Sequence, residues 1–193
     1  LKKYVLFYSG ESEDKGTGKC LGVAFADNRT GSFLDKGTPL RCGDGFENID
    51  PMAYQDPKSG RKLLYWGSGF KPIQVQELTQ DWTAFKPGTG PTPLVCPGKE
   101  RNYDRLIEGA WLDYHNGEYY LYYSGDNCCG DKANYAVMVA RAGNPLGPFT
   151  RLAEHNGTGN SVILARNNRW IAPGHHSLVT DAVGQVWMVY HAI

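Results

Sequence analysis

The stretch Tyr122-Tyr123-Ser124-Gly125 has three counterparts in the chain: Phe7-Tyr8-Ser9-Gly10, Tyr65-Trp66-Gly67-Ser68 and Val189-Tyr190-His191-Ala192. Measured at their second residues, the copies lie 58, 57 and 67 residues apart. Two further strings keep step with them. One follows the first three copies, at residues 21–33 (LGVAFADNRTGSF), 73–85 (IQVQELTQDWTAF) and 135–149 (YAVMVARAGNPLGPF), and reads as a strand, a polar turn and an aromatic opening another strand. The other precedes the last three copies, at residues 49–56 (IDPMAYQD), 107–114 (IEGAWLDY) and 174–181 (GHHSLVTD), and leads into turns such as Lys58-Ser59-Gly60 or Asn116-Gly117. Each unit therefore holds four short antiparallel strands. A single sheet of that kind cannot bury both faces alone, whereas sheets stacked around an axis can, which is the logic of a β-propeller. A β-sandwich shares the short strands and turns but does not require three strings recurring in one order.

The units fall at approximately 1–46, 47–104, 105–172 and 173–193, within a single all-β domain. The chain opens on the second strand of one unit and stops on the second strand of another, so we expect it to begin inside a longer gene product. Strands from elsewhere would then be needed to close the ring.

Composition agrees with this architecture. Among 193 residues, 24 Gly, 12 Tyr and 5 Trp against 3 Met favour strands and turns over long helices. Twenty Lys and Arg balance twenty Asp and Glu, so no chain-wide positive field exists to hold nucleic acid or an acidic membrane surface. No apolar run approaches the roughly 18 residues that cross a bilayer. The five cysteines, Cys20, Cys42, Cys96, Cys128 and Cys129, are too sparse for a disulfide scaffold. Cys20 and Cys42 flank one predicted hairpin at matching ends, which suits a bridge in an oxidising compartment, and Cys96 then lacks a mate. Two glycosylation acceptor patterns, Asn28-Arg29-Thr30 and Asn156-Gly157-Thr158, sit in Gly-containing turns and fit an extracellular, secreted location.

Counting back from the aromatic strings, Asp50 lies 15 residues before Tyr65, Glu108 14 before Tyr122, and His175 14 before Val189. The first strand of each propeller blade lines the central channel, so these three polar residues are expected around one hollow. Two carboxylates in one cleft are the working parts of glycoside hydrolysis, one protonating the leaving oxygen while another activates water or attacks the sugar. Glu108 is the better acid candidate, because Leu106-Ile107 before it and Gly109-Ala110-Trp111 after it would desolvate its carboxyl. A negative Asp50 nearby would hold the proton on it.

These residues resemble the glycoside hydrolase family 43 propellers, whose members include endo-arabinanases, arabinofuranosidases and β-xylosidases. The resemblance is carried by Asn48-Ile49-Asp50-Pro51, Tyr65-Trp66-Gly67-Ser68, Ile107-Glu108-Gly109-Ala110, Gly147-Pro148-Phe149, Trp170-Ile171-Ala172-Pro173-Gly174-His175 and Val189-Tyr190-His191-Ala192. It implies a five-bladed propeller, of which the chain covers roughly blades two to five and lacks the first blade and the C-terminal strands. It also implies an inverting glycosidase of arabinofuranosyl or xylosyl linkages in plant cell-wall polysaccharide. Glu108 would be the general acid, Asp50 the pKa modulator, and the general base a first-blade aspartate not in this chain. No cofactor is required, although the resemblance places a structural Ca²⁺ near His175, held through water because calcium prefers oxygen ligands.

The expected partner is an oligo- or polysaccharide, arabinan or arabinoxylan. Trp111, Trp66 and Phe70 could stack on sugar faces, while tryptophans in propeller strands also form the wedge between blades. Ser124-Gly125-Asp126-Asn127-Cys128-Cys129 resembles the Cys-Cys loop after the acid-bearing blade of arabinanase-type members. Cys128 and Cys129 would there join as a vicinal disulfide, line a sugar subsite, or pack as two small apolar residues. The alternative to catalysis is a carbohydrate-binding propeller that has lost its general base. The motif Ala172-Pro173-Gly174-His175-His176-Ser177 departs from the family's usual Gly-Pro-Gly-His-Asn-Ser.

Overall fold

The computed structural model describes residues 3–13, 16, 18–98 and 103–193, so Leu1 and Lys2 of the first repeat span lie outside it. Four antiparallel sheets follow one another along the chain. The first holds β1 (Tyr4–Glu11) and β2 (Lys19–Ala26), with β3 (Leu34–Asp35) and β4 (Arg41–Gly43) both paired to β2. The second is a meander of β5 (Met52–Gln55), β6 (Lys62–Trp66), β7 (Ile73–Glu77) and β8 (Thr92–Val95). The third runs from β9 (Ile107–His115) through β10 (Glu118–Gly125) to β11 (Ala136–Ala142). Its outer edge is shared by β12 (Thr150–Arg151) and β13 (Val162–Leu164), which are separated by the one-turn helix α1 (Leu152–Asn156). The fourth is the hairpin β14 (Gly174–Thr180) and β15 (Val186–His191).

Alternation along the strands explains the stacking. On β6, Leu63 and Tyr65 pack toward the third sheet with Ile107, Leu112, Tyr119, Leu121 and Tyr123. Leu64 and Trp66 turn the other way and pack with Leu21 of the first sheet. One strand thus buries both of its faces, as a blade between two others must. Trp66 therefore does not serve as a sugar platform: its indole is fully buried and lies 5.5 Å from the Phe85 ring. The expectation of a stacking residue there fails because the strand period aims Trp66 into the wedge between sheets.

The first strand of each of the last three sheets is entered through the same irregularity. Trp111 faces Tyr122 and Glu108 faces Ser124, so Gly109 and Ala110 together oppose Tyr123. Ser177 faces Val189 and Gly174 faces His191, so His175 and His176 oppose Tyr190. Met52 faces Tyr65, and the Gly67 amide donates to the Ile49 carbonyl at 2.9 Å, so Asp50 and Pro51 oppose Trp66. Two residues against one make a β-bulge, and the leading residue of each is left-handed: φ is 54° at Asp50, 61° at Gly109 and 43° at His175. The structural equivalents are accordingly Asp50, Gly109 and His175, and Glu108 sits one residue earlier, level with Ile49 and Gly174. Counting back from the aromatic string misplaces it because the hairpins differ in length: Met52 to Tyr65 spans 13 residues, Trp111 to Tyr122 spans 11, and Ser177 to Val189 spans 12.

Gly174 is required by sterics. A Cβ there would lie 2.1 Å from Cδ1 of the buried Tyr135 ring. Gly174→Ala should lower stability by about 1–3 kcal/mol in urea unfolding, as overpacking does. Gly90→Ala, into open space, should stay within about 0.5 kcal/mol. Equal effects of the two substitutions would contradict the packing of Tyr135 on Gly174.

Candidate active site

A bulge frees the amide of its leading residue from the strand ladder, and at Gly109 and His175 the freed amide crosses to the preceding blade. The Gly109 N–H donates to Asp50 Oδ2 at 3.1 Å, and the His175 N–H donates to Ser124 Oγ at 2.9 Å. His175 Nδ1 lies 3.8 Å from the same Asp50 oxygen, an ion pair whenever the imidazole is protonated. A Cβ on Gly109 would come within 3.5 Å of the His175 backbone, so the blades approach closely at this rung. Asp50 and His175 thereby meet at one end of the inner strands, and Glu108 lies near enough to feel both charges; it lines a different cavity from theirs, whereas the sequence reading expected one hollow.

Glu108 precedes its bulge on β9 and is held from the third strand of its own blade. The hydroxyl of Tyr135, a fully buried residue, donates to Glu108 Oε1 at 2.7 Å. The Tyr135 ring is fixed in turn by Gly174 beneath it and by a stacked His191 at 5.7 Å. Burial pushes the Glu108 carboxyl above the ordinary glutamate value; the Tyr135 hydrogen bond opposes this, the Asp50 charge adds to it, and His175 opposes it. Burial also raises Asp50, against the pull of His175 and of the Gly109 amide. Desolvation thus leads at both carboxyls, and the Asp50 charge adds to it at Glu108.

Two cavities take part of their walls from these residues. The axial one, about 690 Å³, is lined by Asp50, Trp111, His175 and His176 and by β1 residues Val5 to Ser9. The outer one, about 460 Å³, is lined by Glu108 with Phe46, Phe70, Lys71 and Cys128. Phe70 is 67% exposed and Phe46 62%, and the Phe46 ring carries the Lys19 ammonium 5.5 Å from its centroid. Cys128 is bonded to Cys129 as a vicinal disulfide, with Cys128 in the cavity wall and Cys129 exposed outside it. A second disulfide joins Cys20 to Cys42 across the β2–β4 pair, with Cα atoms 4.1 Å apart, and Cys96 is a free, exposed thiol.

Phe46, Tyr135 and Ser124 were not singled out as site residues in the sequence. An aromatic in the turn Gly43-Asp44-Gly45-Phe46 was the one available signal for the first, since a ring in a glycine-rich turn has little core to enter. Tyr135 gave none, because it opens a strand 27 residues after the carboxyl it holds.

The donors at His175 fall short of a calcium site. Among the described residues no group of three or more His, Cys, Asp or Glu side chains gathers to hold a metal. Around His175 there is one imidazole and the Asp50 carboxylate, which already accepts the Gly109 amide. A hard ion that takes 6–8 oxygens finds too few here, and no chemical step is assigned to it.

Stacked antiparallel sheets that carry two desolvated carboxyls at the ends of their first strands are the architecture of a β-propeller with a candidate acid–base site. The sequence profile of glycosyl hydrolases family 43 matches residues 2–193, and the chain belongs to that family. It is 26% identical to a probable arabinan endo-1,5-α-L-arabinosidase D of Emericella nidulans, covering 98% of this chain and 55% of the relative. It is 30% identical to β-D-galactofuranosidase xynD of Aspergillus niger (97% and 50% covered) and 29% identical to a β-xylosidase of Xylanibacter ruminicola (98% and 61%). The chain thus spans about half the length of the curated relatives it matches. The solved α-L-arabinanase of Cellvibrio cellulosa superposes with a TM-score of 0.80 at 24% identity, over 98% of this chain and 65% of that one. The four sheets are accordingly part of a five-bladed propeller.

A carboxyl whose folded pKa is raised contributes stability that is full below the unfolded value and is lost as pH rises through the folded one. Glu108→Gln keeps an acceptor for Tyr135 and removes that loss. The variant should therefore melt above the parent at pH 7–8 and converge with it below about pH 4, near the unfolded glutamate value. Thermal melts across pH test this, and a variant less stable at pH 8 than at pH 4 relative to the parent would contradict the desolvated acid.

Proposed function

We propose that the chain is the acid-bearing portion of an inverting glycoside hydrolase acting on arabinofuranosyl or xylosyl linkages of plant cell-wall polysaccharides. The observation that carries the proposal is a desolvated Glu108, held by Tyr135 in the wall of the outer cavity, with Asp50 close enough to act on its charge. In this reading Glu108 protonates the glycosidic oxygen, and the Asp50 charge keeps it protonated until then. Water attacks from the opposite face, activated by a general base outside these 193 residues. Trp111 faces the sugar being cleaved in the axial cavity, while Phe70 and Cys128 border the remainder of the chain. The names of the arabinanase and xylosidase relatives support a pentose, and the galactofuranosidase makes a hexofuranose the competitor. Two disulfides support an oxidising, extracellular setting.

The test uses a polypeptide extended through the preceding blade, assayed on linear arabinan, xylan and aryl furanosides. Glu108→Gln should lower turnover of the preferred polysaccharide about 10²- to 10⁴-fold, the range of a lost general acid. Unchanged turnover would overturn the assignment. Oligosaccharide binding by calorimetry without turnover in the parent would instead favour the carbohydrate-binding propeller. Phe70→Ala should raise KM for arabino-oligosaccharides about two- to tenfold with little change in kcat, as loss of a stacking ring does. An unaltered KM would remove Phe70 from the site.

A further inference from the structure

Glu108 has two carboxyl oxygens, and the surroundings treat them differently. The His175 backbone N–H donates to Ser124 Oγ, and an amide N–H can only donate, so the serine hydroxyl must aim its own hydrogen elsewhere. The Ser124 side chain is a neighbour of the Tyr135 phenol, and the hydrogen of that phenol goes to Glu108 Oε1 at 2.7 Å. The two hydrogen bonds, His175 to Ser124 and Tyr135 to Glu108, form the relay that borders the carboxyl. Burial, together with the Glu108 charge, pushes the phenol far above its ordinary value, so Tyr135 remains a donor at every working pH.

We infer that Tyr135 is a positioning residue for proton delivery: by occupying Oε1 with a donor, it holds the acid proton of Glu108 on Oε2, the oxygen left for the glycosidic oxygen. This rests on the proposed glycosidase reading. In the step itself the Oε2–H bond breaks and the proton joins the leaving oxygen, which also takes the electron pair of the breaking C–O bond. Water supplies the new hydroxyl at the anomeric carbon, and the general-base carboxylate outside these residues accepts its other proton. The carboxylate left behind keeps Tyr135 on Oε1, so the relay supports the charge that forms.

Asp50 and His175 face Glu108 across the rung, and Tyr135 faces it from its own blade. On the cavity side the charged groups are Lys71, Glu47, Asp44 and Asp126. Tyr135→Phe leaves all of these in place and removes one donor. In the extended polypeptide it should lower kcat on arabinan about tenfold or more, yet change hydrolysis of a dinitrophenyl arabinofuranoside, whose leaving group needs no proton, less than about threefold. The basic limb of the arabinan pH profile should move upward, since losing a donor to the carboxylate raises its pKa. Ser124→Ala should shift the same limb in the same direction by a smaller amount, which keeps the proposal testable if the phenylalanine variant folds poorly. Equal losses on both substrates with an unmoved limb would make Tyr135 merely structural and overturn the inference. Glu108→Gln serves as the reference: if it too shows no leaving-group dependence, the acid assignment itself fails, and the relay with it.

Discussion

The β-bulge repeated at the entrance of three inner strands is the constraint on which the site depends. It places a left-handed residue at the same rung of successive blades, at Asp50, Gly109 and His175, and turns the amides of Gly109 and His175 toward the neighbouring blade. At Asp50 and His175 the conformation costs of order 1–2 kcal/mol each, because neither is glycine. The cost is offset by a crossing hydrogen bond at Gly109 and another at His175, and by the position these give to the polar side chains. Without the bulge, strict alternation would send Glu108 and its neighbours to faces already filled by the inter-blade core.

The same geometry explains why chemistry and stability pull apart here. Glu108 and Asp50 lie where burial opposes ionisation of both, so the folded chain loses stability as rising pH ionises them. Tyr135 anchors that carboxyl from a fully buried position, supported by Gly174 and His191 from the next blade. The acid is thus positioned by two blades, and rigid placement of this kind is what general-acid catalysis requires.

The propeller was legible in the sequence because the aromatic strings mark inner-core strands, and their period survives changes in loop length. The three polar residues at the ends of the inner strands were legible for the same reason, although counting back a fixed distance put Glu108 level with Asp50 and His175 when it stands one residue before them. Hairpins of unequal length carry no mark in local composition, and only the pairing of Trp111 with Tyr122 reveals the offset. Trp66 was misread because an aromatic suits either a wedge or a sugar platform, and burial decides between them. Tyr135 was invisible, since its contact with Glu108 joins residues 27 apart in the chain, from the residue just before the third strand.

Amide hydrogen exchange at Gly109, followed by NMR with Asp50 intact and replaced by Ala, reports on the bulge and its crossing bond more directly than any rate. The Gly109 amide should exchange slowly and titrate with Asp50 in the parent, and lose that protection in Asp50→Ala while the His175 amide, held by Ser124, keeps its own. A Gly109 amide that exchanges as fast as a loop amide in the parent, or is indifferent to Asp50, would contradict the account.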